Sequence, residues 1–84
     1  MNNKESLTEV LKKEGLRYTL QRQSVWDEIK RSKKHRDAEE IYQALRGKNI
    51  GVSRATVYRT IDVLTKNKMV QKMDVGDGKS LYEA

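Results

Sequence analysis

The hydrophobic pattern of this chain changes character once, and that change limits the folds open to it. Up to Leu64 the apolar residues recur three and four positions apart, the spacing that lines one face of a helix. After "TKNK" two short strand-like runs follow, "MVQKMDV" and "KSLYEA", separated by "GDG". A Gly-rich turn between two such runs predicts a β-hairpin. The chain is therefore expected to be helical first and to close on a hairpin.

Four helices can be placed by their ends. Ser6-Leu7-Thr8-Glu9 has the spacing of a capping box, and Leu7, Val10 and Leu11 then form a narrow apolar stripe. Gly15 stands where a left-handed residue would end that helix. Thr19 can cap a second helix that puts Arg22, Val25, Trp26 and Ile29 on one face and ends in the basic stretch "KRSKKHR". Asp37-Ala38-Glu39-Glu40 is a second capping box. It opens a helix with Ala38, Ile41, Tyr42 and Leu45 on one side, expected to stop at Gly47. "KNIGV" links it to a fourth helix, for which Ser53 is the cap and Val57, Ile61 and Leu64 the core face. There is no internal repeat. The order predicts an α+β fold, mostly α: a winged helix-turn-helix of four helices followed by a two-stranded β-hairpin wing. In that layout the last helix before the wing enters the major groove of DNA.

Composition narrows the class further. With 84 residues the chain makes one small domain, taken as residues 1–84, and its apolar and charged fractions are both 36%. It has no cysteine, so neither a disulfide nor a thiolate metal site can reinforce it. No apolar run approaches the roughly 18 residues of a membrane span. The start, "MNNKESLTEV", lacks the apolar core of a signal peptide, so a soluble cytoplasmic domain with no membrane partner is the economical reading. Eighteen Lys and Arg against twelve Asp and Glu leave a net charge of +6, which suits a polyanion whose counterions are released on binding. A positive surface without a polyanionic partner is the alternative.

The fourth helix, "SRATVYRTIDVL", carries more than packing requires. At about 100° per residue, Ala55, Tyr58, Arg59 and Asp62 fall opposite the core face, with Arg54 and Thr56 near the N-terminus. An arginine can fork onto guanine or pair with phosphate, a tyrosine ring or threonine methyl can pack on a thymine methyl, and an alanine allows close approach. The alternative is a solvated helix face. No nucleophile–base pattern, phosphate-binding glycine loop or complete metal site is present, so an enzyme is not expected.

These residues also resemble a known family. "LKKEGLRYTLQR", "AEEIYQAL", "VSRATVYRTIDVL" and "GDGKSLYEA", in that order, are similar to the N-terminal DNA-binding half of the ferric uptake regulator family, metal-dependent bacterial repressors. The resemblance runs from about Leu11 to Glu83, and departs at Gln21, where many members have proline. It implies that Tyr58 and Arg59 face bases and that Arg17 reaches a minor groove. Thr19, Arg22 and Lys79 are weaker phosphate candidates, each of which could equally be a cap or a solvated charge. It implies that His35, before the third helix, and Glu83, on the outer strand of the wing, are two ligands of a sensory site for Fe(II), Mn(II) or Zn(II). Glutamate rather than aspartate at position 83 leans towards iron sensing over peroxide sensing. The family's C-terminal dimerisation domain has no counterpart in these residues, so the chain is expected to be part of a longer protein. That protein would bind an A·T-rich inverted repeat of double-stranded DNA as a metal-loaded homodimer. This chain alone is expected to be a monomer that holds no metal tightly. A metal-independent winged-helix DNA binder and a winged helix used for protein–protein contact are the other readings.

Overall fold

The computed structural model describes residues 6–32 and 34–84. The first five residues of the N-terminal stretch and Lys33, inside the basic stretch, lie outside them. Among the described residues four helices precede a hairpin: α1 (Leu7–Lys13), α2 (Leu20–Arg31), α3 (Ala38–Gly47), α4 (Arg54–Lys66), β1 (Gln71–Asp74) and β2 (Ser80–Glu83). The winged helix-turn-helix is thus present, and none of its helices is long and apolar enough to cross a membrane.

Each start is capped as expected. Ser6 with Glu9 and Asp37 with Glu40 form reciprocal capping boxes, while the Thr19 and Ser53 hydroxyls accept from the backbone N–H of Arg22 and Thr56. These bonds satisfy amides that have no partner within the helix. The ends follow one device used three times. Leu16, Ile50 and Met69 donate their N–H to the carbonyls of Leu11, Leu45 and Leu64, five residues back. The residue before each, Gly15, Asn49 or Lys68, is left-handed, with φ of 74°, 61° and 61°. This is the Schellman turn, and its trailing apolar residue packs against the core in all three cases. Helix α3 therefore ends at Gly47 as expected and is capped by Lys48, with Asn49 rather than a glycine as the left-handed residue. Glycine there signals only a permissive backbone, whereas the Leu45–Ile50 pair sets where the chain turns.

Helix α4 lies at the centre, packed on α1, α2 and α3. Its Val57, Ile61 and Leu64 join Leu7, Leu11, Val25, Ile29, Ile41, Leu45 and Val70 in one core. Thr60 is fully buried among them, and its hydroxyl is satisfied by donating to the Thr56 carbonyl at 2.7 Å. At the far end of α4, Glu14 accepts from the Asn67 side-chain amide (2.9 Å) and from Lys66 (3.1 Å), fastening α1 to the α4 terminus. Leu20, Met73 and Val75 remain exposed, scattered over the start of α2 and the wing.

The hairpin is antiparallel, with Gln71 opposite Glu83 and Asp74 opposite Ser80, turned by left-handed Gly76, Asp77 and Gly78. Strand β2 is not the outer strand that was expected. Arg36, in the loop before α3, pairs with Tyr82 on its other side, with Tyr82 N–H donating to the Arg36 carbonyl at 2.7 Å. The exposed edge is β1, and all four of its residues are exposed.

That loop is anchored by a buried carboxylate. Glu28 is 6% exposed and accepts from Arg36 Nη1 at 2.9 Å and from Lys48 Nζ, while Arg36 Nη2 donates to the Glu28 carbonyl at 3.0 Å. Burial pulls the Glu28 carboxyl upwards, but the hydrogen bonds from Lys48 and Arg36 outweigh it and hold it below the ordinary carboxylate value.

Two stability experiments follow. In urea melts, Gly15→Ala should lower stability by about 1–2 kcal/mol, because a Cβ there meets no atom within 4 Å and the cost is the left-handed backbone alone; Lys68→Gly, at a similar φ, should raise it. Glu28→Gln leaves Arg36 partly buried beside a neutral amide and should cost on the order of 3 kcal/mol. A melt unchanged by Glu28→Gln would show that the ion cluster is not what holds the loop.

Candidate nucleic-acid interface and metal-ligand pair

The outward face of α4 presents Arg54, Ala55, Tyr58, Arg59 and Asp62 to solvent, as the helical spacing predicted, and Thr56 is half-buried. The candidates on it differ in their freedom. The side chain of Arg59 enters no hydrogen bond or ion pair with the described residues. Thr56 Oγ1 accepts from the Ser53 hydroxyl at 3.0 Å, completing the cap. Arg54 is held most firmly. Its Nε and Nη2 donate to the two oxygens of Glu39, each at 3.0 Å, and its guanidinium carbon lies 4.6 Å from the centre of the Tyr42 ring. Glu39 also accepts from Gln43 at 2.9 Å, and the Tyr58 hydroxyl lies 3.5 Å away.

The loop before α2 shows the same division of labour. Arg17 is exposed, and its side chain makes no contact of this kind with the described residues. Arg22, read as a phosphate candidate, is turned inward: its Nη1 donates to the Arg17 carbonyl at 2.6 Å and its Nε is buried without a partner. It fixes the backbone that carries Arg17. Thr19 is occupied as the α2 cap. Across the face, Lys79 from the wing turn lies 3.5 Å from Asp37. The starts of α3 and α4 and the wing enclose an open groove of about 220 Å³, with Glu39, Tyr58, Lys79 and Ser80 on its walls.

His35 and Glu83 sit at the other end of the wing. They come from the loop before α3 and from the end of β2, yet His35 Nε2 is 2.8 Å from Glu83 Oε1. The Arg36–Tyr82 bridge brings them together, since it aligns the loop beside β2. Their side chains are 42% and 32% exposed, and they open onto a groove of about 580 Å³ bounded by Thr65, Lys68 and Lys72. An imidazole and a carboxylate in contact fit two ligand positions of a divalent cation. Among the described residues no group of three metal-binding side chains occurs, so two donors are all this pair supplies.

Sequence reasoning missed Glu28, Glu39 and Tyr42 as site-building residues. For Glu28 a signal existed: it lies three residues after Val25 and beside Ile29, inside the buried arc of α2. For Glu39 there was none, because its partner stands 15 residues away across the turn.

The Glu39–Arg54 fork has a pH signature. Hydrogen bonds from Arg54 and then Gln43 lower the Glu39 carboxyl from 4.5 to about 2. A depressed carboxyl stabilises the fold above its unfolded value and loses that contribution as pH falls through its folded one. The contribution should therefore be complete above about pH 4.5 and vanish towards pH 2. Carboxyl NMR titration should find Glu39 the outlier; a midpoint near 4.5 would mean that the fork is not populated in solution.

The comparisons with known proteins agree with this architecture. Residues 13–84 match the ferric uptake regulator family. The chain is 38% identical over 80 residues to the peroxide operon regulator of Bacillus subtilis, covering 95% of this chain and 54% of that one. It is 30% identical to a solved manganese uptake regulator (TM-score 0.77; 99% of this chain, 61% of that one). It is 28% identical to a ferric uptake regulator of Pseudomonas aeruginosa solved with manganese (TM-score 0.77; 94% and 60%). The chain thus spans little more than half the length of these relatives. It belongs to the ferric uptake regulator family, whose members are regulators of transcription and not enzymes.

Proposed function

We propose that residues 1–84 form the winged-helix DNA reader of a metal-responsive repressor, with α4 in the major groove of an A·T-rich inverted repeat. The outward face of α4 carries this reading. It sets an arginine with no partner among the described residues, a tyrosine and a buttressed arginine around Ala55 on a domain of net charge +6. Tyr58 and Arg59 contact bases, Thr56 lies beside them, and Arg17 enters the neighbouring minor groove, where narrow A·T tracts concentrate negative potential. Lys79 on the wing turn stands near phosphate. Arg22 and Thr19 act indirectly, by fixing the Arg17 loop and the α2 start.

In the longer protein, His35 and Glu83 supply two ligands to a divalent metal, Fe(II), Mn(II) or Zn(II), and the remaining ligands come from residues beyond this chain. The contact between imidazole and carboxylate supports this, as does the solved relative with manganese. The bound metal would supply a cation that both parts of the protein must face. The residues here position two donors for it and hold them at the groove beside α4. With two donors only, this chain alone binds metal weakly and reads one half-site as a monomer. A homodimer of the longer protein gains avidity by making its second contact intramolecular.

Arg59→Ala should weaken binding to a preferred duplex by ~1–3 kcal/mol and relax base preference at one position. Fluorescence anisotropy at several salt concentrations measures both. Unchanged affinity and preference would remove α4 from the interface. In the longer protein, His35→Ala should abolish the effect of metal on DNA binding without moving the melting temperature of the metal-free form.

A further inference from the structure

We propose that Arg54 is a base-reading side chain, held in its reading position by Glu39 and Tyr42, and that Glu39 is its positioning residue. This rests on the DNA-binding reading above and adds to it a specificity determinant with its support.

A guanidinium has two edges that can engage a pair of acceptors. Glu39 takes the side edge, through Nε and Nη2. The end edge, formed by Nη1 and the second hydrogen of Nη2, makes no hydrogen bond with the described residues. That edge is the one that matches guanine O6 and N7. The ring of Tyr42, itself packed against the core, lies under the guanidinium and fixes its plane. With one edge forked and one face stacked, little rotamer freedom is left to lose on binding. The side chain stays 56% exposed and stands on the first residue of α4, the end from which helix-turn-helix proteins reach base edges.

Glu39 itself is spent on the protein. One oxygen accepts from Arg54 Nε and faces the Tyr58 hydroxyl; the other accepts from Arg54 Nη2 and Gln43. It has no vacant acceptor geometry for a base amino group, so its role is to orient. A carboxylate that masked Arg54 from DNA would cover the end edge, which Glu39 leaves open. The pairing also cancels charge, so Arg54 and Glu39 together add little to phosphate attraction and act on sequence preference instead. Arg59, which has no such partner among the described residues, differs from Arg54 in this respect.

The test begins with selection of a preferred sequence by the wild-type chain from randomised duplexes of about 20 base pairs, two helical turns. Wild type, Arg54→Lys, Glu39→Ala and Arg59→Ala are then titrated on the preferred duplex and on a scrambled one at several salt concentrations. Arg54→Lys keeps the charge and removes the fork. Discrimination between the duplexes should fall about tenfold in Arg54→Lys and in Glu39→Ala. Repeating the selection should show preference relaxed at the same base position in both. A structural effect of Glu39→Ala would weaken both duplexes alike and leave the preferred sequence intact. If Arg54→Lys retains full discrimination, Arg54 is a phosphate anchor and the proposal is overturned. If Glu39→Ala tightens both duplexes equally, Glu39 is a mask and it is overturned too. Loss of discrimination in Arg59→Ala alone would sink this inference and leave the DNA-binding reading standing. No binding of any duplex by the wild-type chain would sink both.

Discussion

The buried carboxylate of Glu28 is the constraint on which the rest depends. A charge placed this deep is unfavourable unless its oxygens are met by donors of opposite charge. Arg36 and Lys48 meet them, and each belongs to a different end of α3. One residue of α2 therefore ties down the chain at both ends of α3. Because Arg36 also pairs with Tyr82 through its backbone, the same ion cluster settles the position of the wing. The apolar core alone would not do this. Its contacts are non-directional and would tolerate small slips of α3 that a forked arginine does not.

Electrostatics of the opposite kind shape the outward face. The Arg54 and Glu39 side chains are 56% and 41% exposed, so their fork adds little to stability, yet it fixes geometry. The net charge of +6 is thus not spread as six free cations. Lys48, Lys66, Lys79 and Arg54 are each paired with an acid. Arg17 and Arg59, by contrast, have no such partner among the described residues. Those two stand on different elements, the loop before α2 and α4, which is the arrangement needed to touch two parts of a duplex at once.

Most of the fold was legible because its signals are local. The capping boxes at Ser6 and Asp37, the cap at Ser53 and the turn at 76–78 are each written within four residues, and all appear in the structure. Where the reading fell short, the deciding interaction was distant or repeated. Helix α3 stops at Gly47 as expected, but the left-handed residue that closes it is Asn49, because the closing bond runs from Ile50 to Leu45. The same five-residue spacing recurs at Leu11–Leu16 and Leu64–Met69. The pattern was in the sequence, but three examples had to be compared to see it. The inner position of β2 depends on Arg36, 46 positions before Tyr82, and no local signal carries that. The site divides in the same way. Tyr58 and Arg59 follow from helical spacing. The engagement of Arg54 and the inward turn of Arg22 come from partners across the chain.

Strand β2 joins the two candidate sites. Ser80, at its start, lines the groove beside Tyr58 and Glu39, and Glu83, at its end, meets His35. Between them Tyr82 is held on both sides, by Lys72 of β1 and by Arg36. A strand of four residues paired with β1 along its length and bridged to Arg36 at Tyr82 cannot slide by less than a register step without breaking its hydrogen bonds, and a one-residue slip would reverse every side chain. A force applied at His35 and Glu83 is therefore not absorbed by local give in the strand. It is met by the Glu28 cluster behind Arg36 and by the packing of Tyr82 on the core. The wing turn with Lys79 and the loop with His35 are thus tied to one another through β2 and to the Glu28 cluster through Arg36.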